Sequence, residues 1–186
     1  RTCLDPSLGM GAFAETLAPH VGRVDAFEKD LLTVRIAQSL HPLGQSTIFV
    51  QQAPFESIEE RAEADKYDLI ASNIPFGDFM VYDRAYNKGQ NVIKKESTRA
   101  IHNYFFIKGL DSIREGGVLA FITSQGLLDA PRNEAFRRYL MENSKLISAI
   151  RLPGGMFREN AGTEVGSDLI AVSYTHLRAH ETREDL

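Results

Sequence analysis

The sequence predicts an α/β protein built on a mostly parallel, doubly wound sheet. Three observations carry this. Short apolar runs of strand length alternate with helix-length amphipathic segments along the chain. Turns containing Gly, Pro or Asn fall where the apolar runs stop. One run, Val118-Leu119-Ala120-Phe121-Ile122, is unbroken and apolar, as expected of a strand covered on both faces.

The elements follow in order. Thr2-Cys3-Leu4 reads as a first strand leading to Asp5 and a Gly-containing turn, with a helix over 12–20. Val24-Asp25-Ala26-Phe27 is a second strand ending in Glu28. Apolar residues at 31, 32, 34, 36, 37 and 40 give a helix that Pro42 stops. Thr47-Ile48-Phe49-Val50 is a third strand, and a highly charged helix is predicted over 57–64. Tyr67-Asp68-Leu69-Ile70-Ala71 forms a fourth strand running into Asn73. The stretch 77–100 lacks periodicity and is predicted as one long loop, a feature that in compact domains tends to be functional. A helix over 103–114 is expected to end at Glu115-Gly116-Gly117, glycine being suited to a left-handed cap. After the 118–122 strand come a helix over 134–141 and two strands, 146–152 and 168–171, joined by a Gly-rich connection as a terminal antiparallel hairpin. The total is seven strands with helices on both faces, and no internal repeats.

Bulk properties narrow the function. A chain of 186 residues, 43% hydrophobic and 25% charged, is enough for one domain with a core. No apolar run approaches the roughly 18 residues that span a bilayer, and no secretory signal opens the chain, so a cytoplasmic protein is expected. The single cysteine, Cys3, permits no internal disulfide. No Cys/His set in the body of the chain has zinc spacing, and no metal is expected. A net charge of −4 argues against a whole-surface nucleic-acid binder. It leaves room for a local basic face, for which Lys88, Lys94, Lys95 and Arg99 are the candidates and a solvated loop the alternative. The first residues read as the end of a strand, so upstream residues are expected to be missing. At the other end, residues 172–182 are similar to a translated sequencing adapter. The expected division is a partial core over 1–171 and a non-native tail over 172–186, truncated at both ends.

Two motifs carry chemistry. Asp5-Pro6-Ser7-Leu8-Gly9-Met10-Gly11-Ala12-Phe13 joins the first strand to the first helix, where Gly9 and Gly11 let backbone approach a ligand. Glu28 ends the second strand, where a carboxylate can accept both hydroxyls of a ribose. Asp5 is a candidate acceptor for an ammonium group. No Gly-Lys-Ser/Thr follows the turn, which makes a phosphate cradle unattractive. The second motif, Ser72-Asn73-Ile74-Pro75-Phe76-Gly77, ends the fourth strand.

Together these motifs resemble the adenine-specific DNA methyltransferases, whose signature is Asn/Asp-Pro-Pro-Tyr/Phe. The variant Asn-Ile-Pro-Phe-Gly, followed by His102-Asn103-Tyr104-Phe105-Phe106, is similar to the large methylase–helicase proteins of mobile elements and phages. The resemblance spans about residues 2–171. It implies a Rossmann-like class I methyltransferase fold, S-adenosylmethionine as cofactor, and DNA as partner within a longer polypeptide bearing recognition or helicase domains. Asp5, Pro6, Gly9, Gly11, Phe13, Glu28 and Phe55 would bind the cofactor, and Asn73, Ile74, Pro75 and Phe76 would be catalytic. The chemistry needs two acceptors facing the N6 hydrogens of adenine, so that the nitrogen lone pair is freed. The resemblance gives these roles to the Asn73 side-chain oxygen and the Ile74 carbonyl, with Pro75 fixing the backbone and Phe76 stacking on a base drawn out of the duplex.

The sequence departs from the pattern at two places. Ile74 stands where the first Pro is usual; a carbonyl survives this change, but rigidity does not. The acid expected before Phe55 is replaced by Pro54, leaving Gln52 or Glu56 as substitutes. The turn His102-Asn103-Tyr104 has two readings, beside the cofactor or target base, or as a cap and core; Thr123-Ser124 is a further candidate wall. Alternative functions are methylation of an RNA base or a protein glutamine, and a non-catalytic scaffold in a larger helicase protein.

Overall fold

A computed structural model describes residues 1–59, 62, 66–77, 79–153 and 166–175. Strands β1 (Thr2–Asp5), β2 (Arg23–Glu28), β3 (Ile48–Gln52), β4 (Tyr67–Asn73) and β5 (Ile113–Ser124) are parallel. β6 (Ser144–Arg151) and β7 (Ser167–Tyr174) are antiparallel to each other, and β7 inserts beside β5. The seven-stranded order is β3-β2-β1-β4-β5-β7-β6. Strand order reverses between β1 and β4, the place where an open α/β sheet leaves a crevice beyond its strand ends.

The two-residue period of each strand divides the core into two layers. In β1, Cys3 and Leu4 are both fully buried but on opposite faces. Cys3 joins Val24, Ala26, Ile48 and Val50 under helices α1 (Ala12–Leu17) and α2 (Leu31–Leu40), through Ala14, Val34 and Ala37. Leu4 joins Ile70, Leu119, Phe121 and Ile170 under α5 (Ile101–Ser112) and α7 (Glu134–Asn143), through Phe105, Phe106, Phe136 and Leu140. α2 is capped by Asp30, whose carboxylate accepts from the Thr33 amide at 2.7 Å, and it stops just before Pro42 as predicted.

Four expectations need correction. The stretch 77–100 is no continuous loop: it holds helices α3 (Arg84–Lys88) and α4 (Val92–Ser97), capped by Asp83 and Asn91. Buried Asp83 also accepts from Tyr104 Oη at 2.8 Å and pairs with Lys108 at 3.1 Å, tying this insertion to α5. Helix α5 starts two residues early and gives way to β5 at Ile113. Glu115-Gly116-Gly117 therefore lies inside β5, where the register with β4 jumps between Tyr67 and Leu69. The charged helix over 57–64 is replaced at its start by a 3-10 turn, Phe55–Ser57, and extended backbone; most of the remainder lies outside the described residues. Strand β7 runs three residues past 171, with Val172 fully buried. The connection over 154–165 and residues 176–186 lie outside the described residues. Among the described residues no helix is long and apolar enough to cross a membrane. A further short helix, α6 (Gly126–Asp129), follows β5 and bears on the site.

Candidate active site

The C-terminal ends of β1, β2, β4 and β5 bring the two motifs together. Asp5, at the end of β1, is 1% exposed; its Oδ1 accepts from Ser72 Oγ at 2.7 Å and from the Ser7 amide at 3.2 Å. The first motif is thereby hydrogen-bonded to the strand that carries the second. Burial pushes the Asp5 carboxyl up to about 6, against the opposing hydrogen bonds from Ser72 and Ser7. Asp5 thus lies beneath the turn rather than open to a ligand, and it holds the turn in place. Gly9 and Gly11 both take positive φ, 52° and 84°, which an L side chain would resist. The Glu28 carboxylate closes the turn: Oε2 accepts from the Gly9 amide at 2.9 Å, and Oε1 from the Lys29 and Asp30 amides at 2.7 and 2.9 Å.

Two clefts flank the second motif. The first, about 320 Å³, is lined by Pro6, Ser7, Glu28, Phe55, Glu56, Pro75 and Met80, among others. The second, about 400 Å³, is lined by Phe76, Gly77, His102, Asn103, Ser124, Arg132 and Asn133, among others. Both lie in the range of ligand pockets, roughly 300–1,000 Å³. Pro75 lines the first, and Phe76 and Gly77 line the second; Asn73 and Ile74 stand in neither lining. Asn73 is exposed at the tip of β4.

Ile74 is 1% exposed, its side chain part of the α5-side core, and its amide donates to the Ile122 carbonyl at 3.1 Å. Proline has no amide hydrogen for the first of these anchors, and its smaller ring fills less of the second. The rigidity that a second proline would give comes here from a strand hydrogen bond and a buried side chain.

Of the residues expected around the cofactor, Pro6, Glu28 and Phe55 line the first cleft, as does Glu56, one of the two candidate substitutes for the missing acid; Gln52 does not. Phe55 is 1% exposed and packs its ring against Phe105, centroids 5.0 Å apart. Phe13, Gly9 and Gly11 are not in that lining. Of the basic candidates, Lys88, Lys95 and Arg99 are exposed, Arg99 with an ion pair to Glu96 at 3.0 Å. Lys94 folds back onto Asp111 at 2.6 Å and over the Tyr86 ring, so it is held within the fold rather than offered outward.

The second cleft joins His102, Asn103 and Ser124, which the sequence offered as candidate walls, to Arg132 and Asn133, which sequence reasoning missed. Ala100, not Asn103, occupies the N-cap of α5, and Tyr104 is core. Asn133 Nδ2 donates to the Gly126 carbonyl at 2.9 Å, which turns Asn133 Oδ1 toward Asn103 Nδ2 at 3.2 Å. That chain of donors fixes the orientation of both amides. It leaves Asn103 Oδ1 as a buried acceptor with no partner among the described residues. The His102 ring lies between Thr123 Oγ1, 3.1 Å from Nδ1, and Ser124 Oγ, 3.3 Å from Nε2. Arg137 holds α6 by donating to the Leu127 and Ala130 carbonyls. The one available sequence signal was a polar residue, Asn133, next to a helix start.

Comparison with known proteins agrees with this architecture. A methyltransferase subunit of a type I restriction-modification system from Streptococcus thermophilus superposes with a TM-score of 0.73 at 16% identity, over 95% of this chain and 40% of that one. A chain of Listeria monocytogenes described as a class I S-adenosylmethionine-dependent methyltransferase superposes with a TM-score of 0.75 at 16% identity, over 100% of this chain and 57% of that one. At these identities the likeness is one of fold. In sequence, the chain is 31% identical over 169 residues to the Defense against restriction protein B of Escherichia phage P1, covering 90% of this chain and 7% of that protein. It therefore spans a small part of that relative. Residues 23–157, from β2 through the second motif and β6, match the model of one family, and the chain belongs to the Eco57I restriction-modification methylases.

Proposed function

We propose that the chain transfers a methyl group from S-adenosylmethionine, bound in the first cleft, to the N6 amine of adenine in DNA, received in the second. The observation that carries this reading is that consecutive residues of the Asn73-Ile74-Pro75-Phe76 segment line different clefts, Pro75 the first and Phe76 the second, with Asn73 exposed at the strand tip just before them. The residues present fit the cofactor. The cleft has ligand volume, the Glu28 carboxylate at its wall suits ribose hydroxyls, and the Phe55 ring beside Glu56 suits a purine and its amine. When bound, the cofactor supplies an electrophilic methyl group.

The chain's own residues do the rest. Asn73 Oδ1 and the Ile74 carbonyl accept the hydrogens of the amine, drawing its lone pair out of the ring. The Ile74–Ile122 hydrogen bond and the buried Ile74 side chain keep that carbonyl in place. Phe76 stacks on the base on the far side of the motif. Most of the acceleration is positional, with both reactants held to one short segment. Lys88, Lys95 and Arg99 supply local positive charge for the phosphate backbone on a chain of net charge −4.

The test is transfer of radiolabelled methyl to unmethylated duplex DNA, with RNA and a glutamine-bearing protein substrate in parallel. Label is expected in DNA as N6-methyladenine, and Asn73→Ala should lower the rate by at least about 10²-fold while sparing cofactor binding. Label confined to RNA or protein would refute the DNA assignment. Binding without transfer to any acceptor would leave the scaffold reading in its place.

A further inference from the structure

We propose that His102, relayed through the Ser124 hydroxyl, is the proton acceptor of the reaction, a role that none of the four motif residues can fill. This rests on the methyl-transfer reading above.

The chemistry creates the need. The amine lone pair forms the new N–CH3 bond, and the S–CH3 bonding pair remains on sulfur, which passes from sulfonium to neutral thioether. The positive charge moves to the amine nitrogen, which then bears one methyl and two hydrogens. One of these protons must leave to give the neutral product. Asn73 offers an amide, Ile74 a carbonyl, and Pro75 and Phe76 no titratable group, so the motif has acceptors but no base.

The structure places an imidazole beside the end of the strand that pairs with Asn73. The Asn73–Ile122 pair is the last rung between β4 and β5, and the next two residues of β5 are Thr123 and Ser124. These two hold the His102 ring, at 3.1 Å from Nδ1 and 3.3 Å from Nε2. Ser124 and His102 line the second cleft with Phe76 and Gly77. Among the described residues that line this cleft, His102 is the one with an imidazole or carboxylate base. The relay requires Nδ1–H to donate to Thr123 Oγ1 and Nε2 to accept from Ser124 Oγ. The Ser124 hydroxyl then takes the substrate proton as it passes its own to Nε2, forming an imidazolium that loses its proton to solvent.

A second observation marks this cleft as a receiver of donors. Asn103 Oδ1, in the same wall, is a buried acceptor left over by the Asn133–Gly126 chain. A buried acceptor of this kind favours a ligand that brings a donor to it. Charged groups stand near the ring on two of the elements packed around it. Arg132 lines the cleft. Asp168 of β7 lies opposite Thr123 and is paired with Arg151, which also holds Asp129 of α6.

The test compares single-turnover methyl transfer across pH for the full chain, H102Q and His102→Ala, the last with and without added imidazole. In the wild type, the rate should fall on the acid side across the interval where imidazoles titrate. H102Q, which can keep both hydroxyl contacts, should lose that limb and slow by about 10²-fold or more, with cofactor affinity unchanged. Imidazole should restore part of the His102→Ala rate. An H102Q rate close to wild type, or a slowed H102Q that keeps its acid limb without imidazole rescue, would overturn the proposal and leave His102 a positioning residue. If H102Q does not fold, a flat wild-type profile across that interval overturns it equally. A wild type that methylates no acceptor overturns the methyl-transfer reading itself, and with it this one.

Discussion

Replacing Ile74 with proline restores the commoner motif, yet it should destabilise this protein. Two losses add. The Ile74 amide no longer donates to the Ile122 carbonyl at 3.1 Å, which costs about 1 kcal/mol net and up to about 3 if that carbonyl stays unpaired. The side chain, 1% exposed within the α5-side core, shrinks and changes shape, at about 0.8 kcal/mol per lost methylene plus a cavity contribution. Extended backbone at Asn73 is compatible with a following proline, so no further strain is charged there. The sum is about 2–4 kcal/mol, or roughly 5–15 °C in Tm for a chain of this length. Urea unfolding followed by circular dichroism would measure it, with Ile74→Val as a control expected to cost about 0.5–1.5 kcal/mol. An Ile74→Pro protein as stable as wild type, with an unchanged dependence on urea, would refute the argument that a strand bond and a buried side chain replace the missing proline.

Two further outcomes follow from the site. Burial raises Asp5 from its ordinary 3.8 to about 6, so its contribution to stability is full below pH 3.8 and lost as pH rises through about 6. The loss is worth roughly 3 kcal/mol. Asp5→Asn keeps an acceptor for Ser72 and Ser7; its stability relative to wild type should rise between pH 4 and pH 7 by about that amount, and a constant difference across that window would show that Asp5 does not titrate there. Gly77 holds φ +146°, and a Cβ there would overlap the Phe79 ring, which lines the first cleft. Gly77→Ala should weaken cofactor binding by about tenfold in calorimetry, the equivalent of 1.4 kcal/mol of strain; unchanged affinity would show that Phe79 can move aside without consequence.

Much of this architecture was legible in the sequence, for reasons that differ by element. Buried parallel strands write themselves as apolar runs, and both motifs sit at strand ends because only there does backbone meet the crevice. Helix α2 announced its end through Pro42. Helices α3 and α4 were missed because five or six residues contain too little of a 3.6-residue period to register. Glu115-Gly116-Gly117 misled because a glycine pair that can end a helix can equally form a bulge inside a strand.

What the sequence determined by itself was chemistry at fixed places along the chain: the order of strands, the acid after β2, and the Asn-Ile-Pro-Phe segment after β4. The tertiary structure decided which of those groups face a ligand. Asp5 turned inward because Ser72, 67 positions away, meets it across the sheet. Lys94 left the basic face because Asp111 on another helix captures it. Asn103 and His102 joined the site because β5 and the segment around Asn133 close against the start of α5. Each of these outcomes depends on a partner distant in sequence, and local residue pattern contains no distance through space.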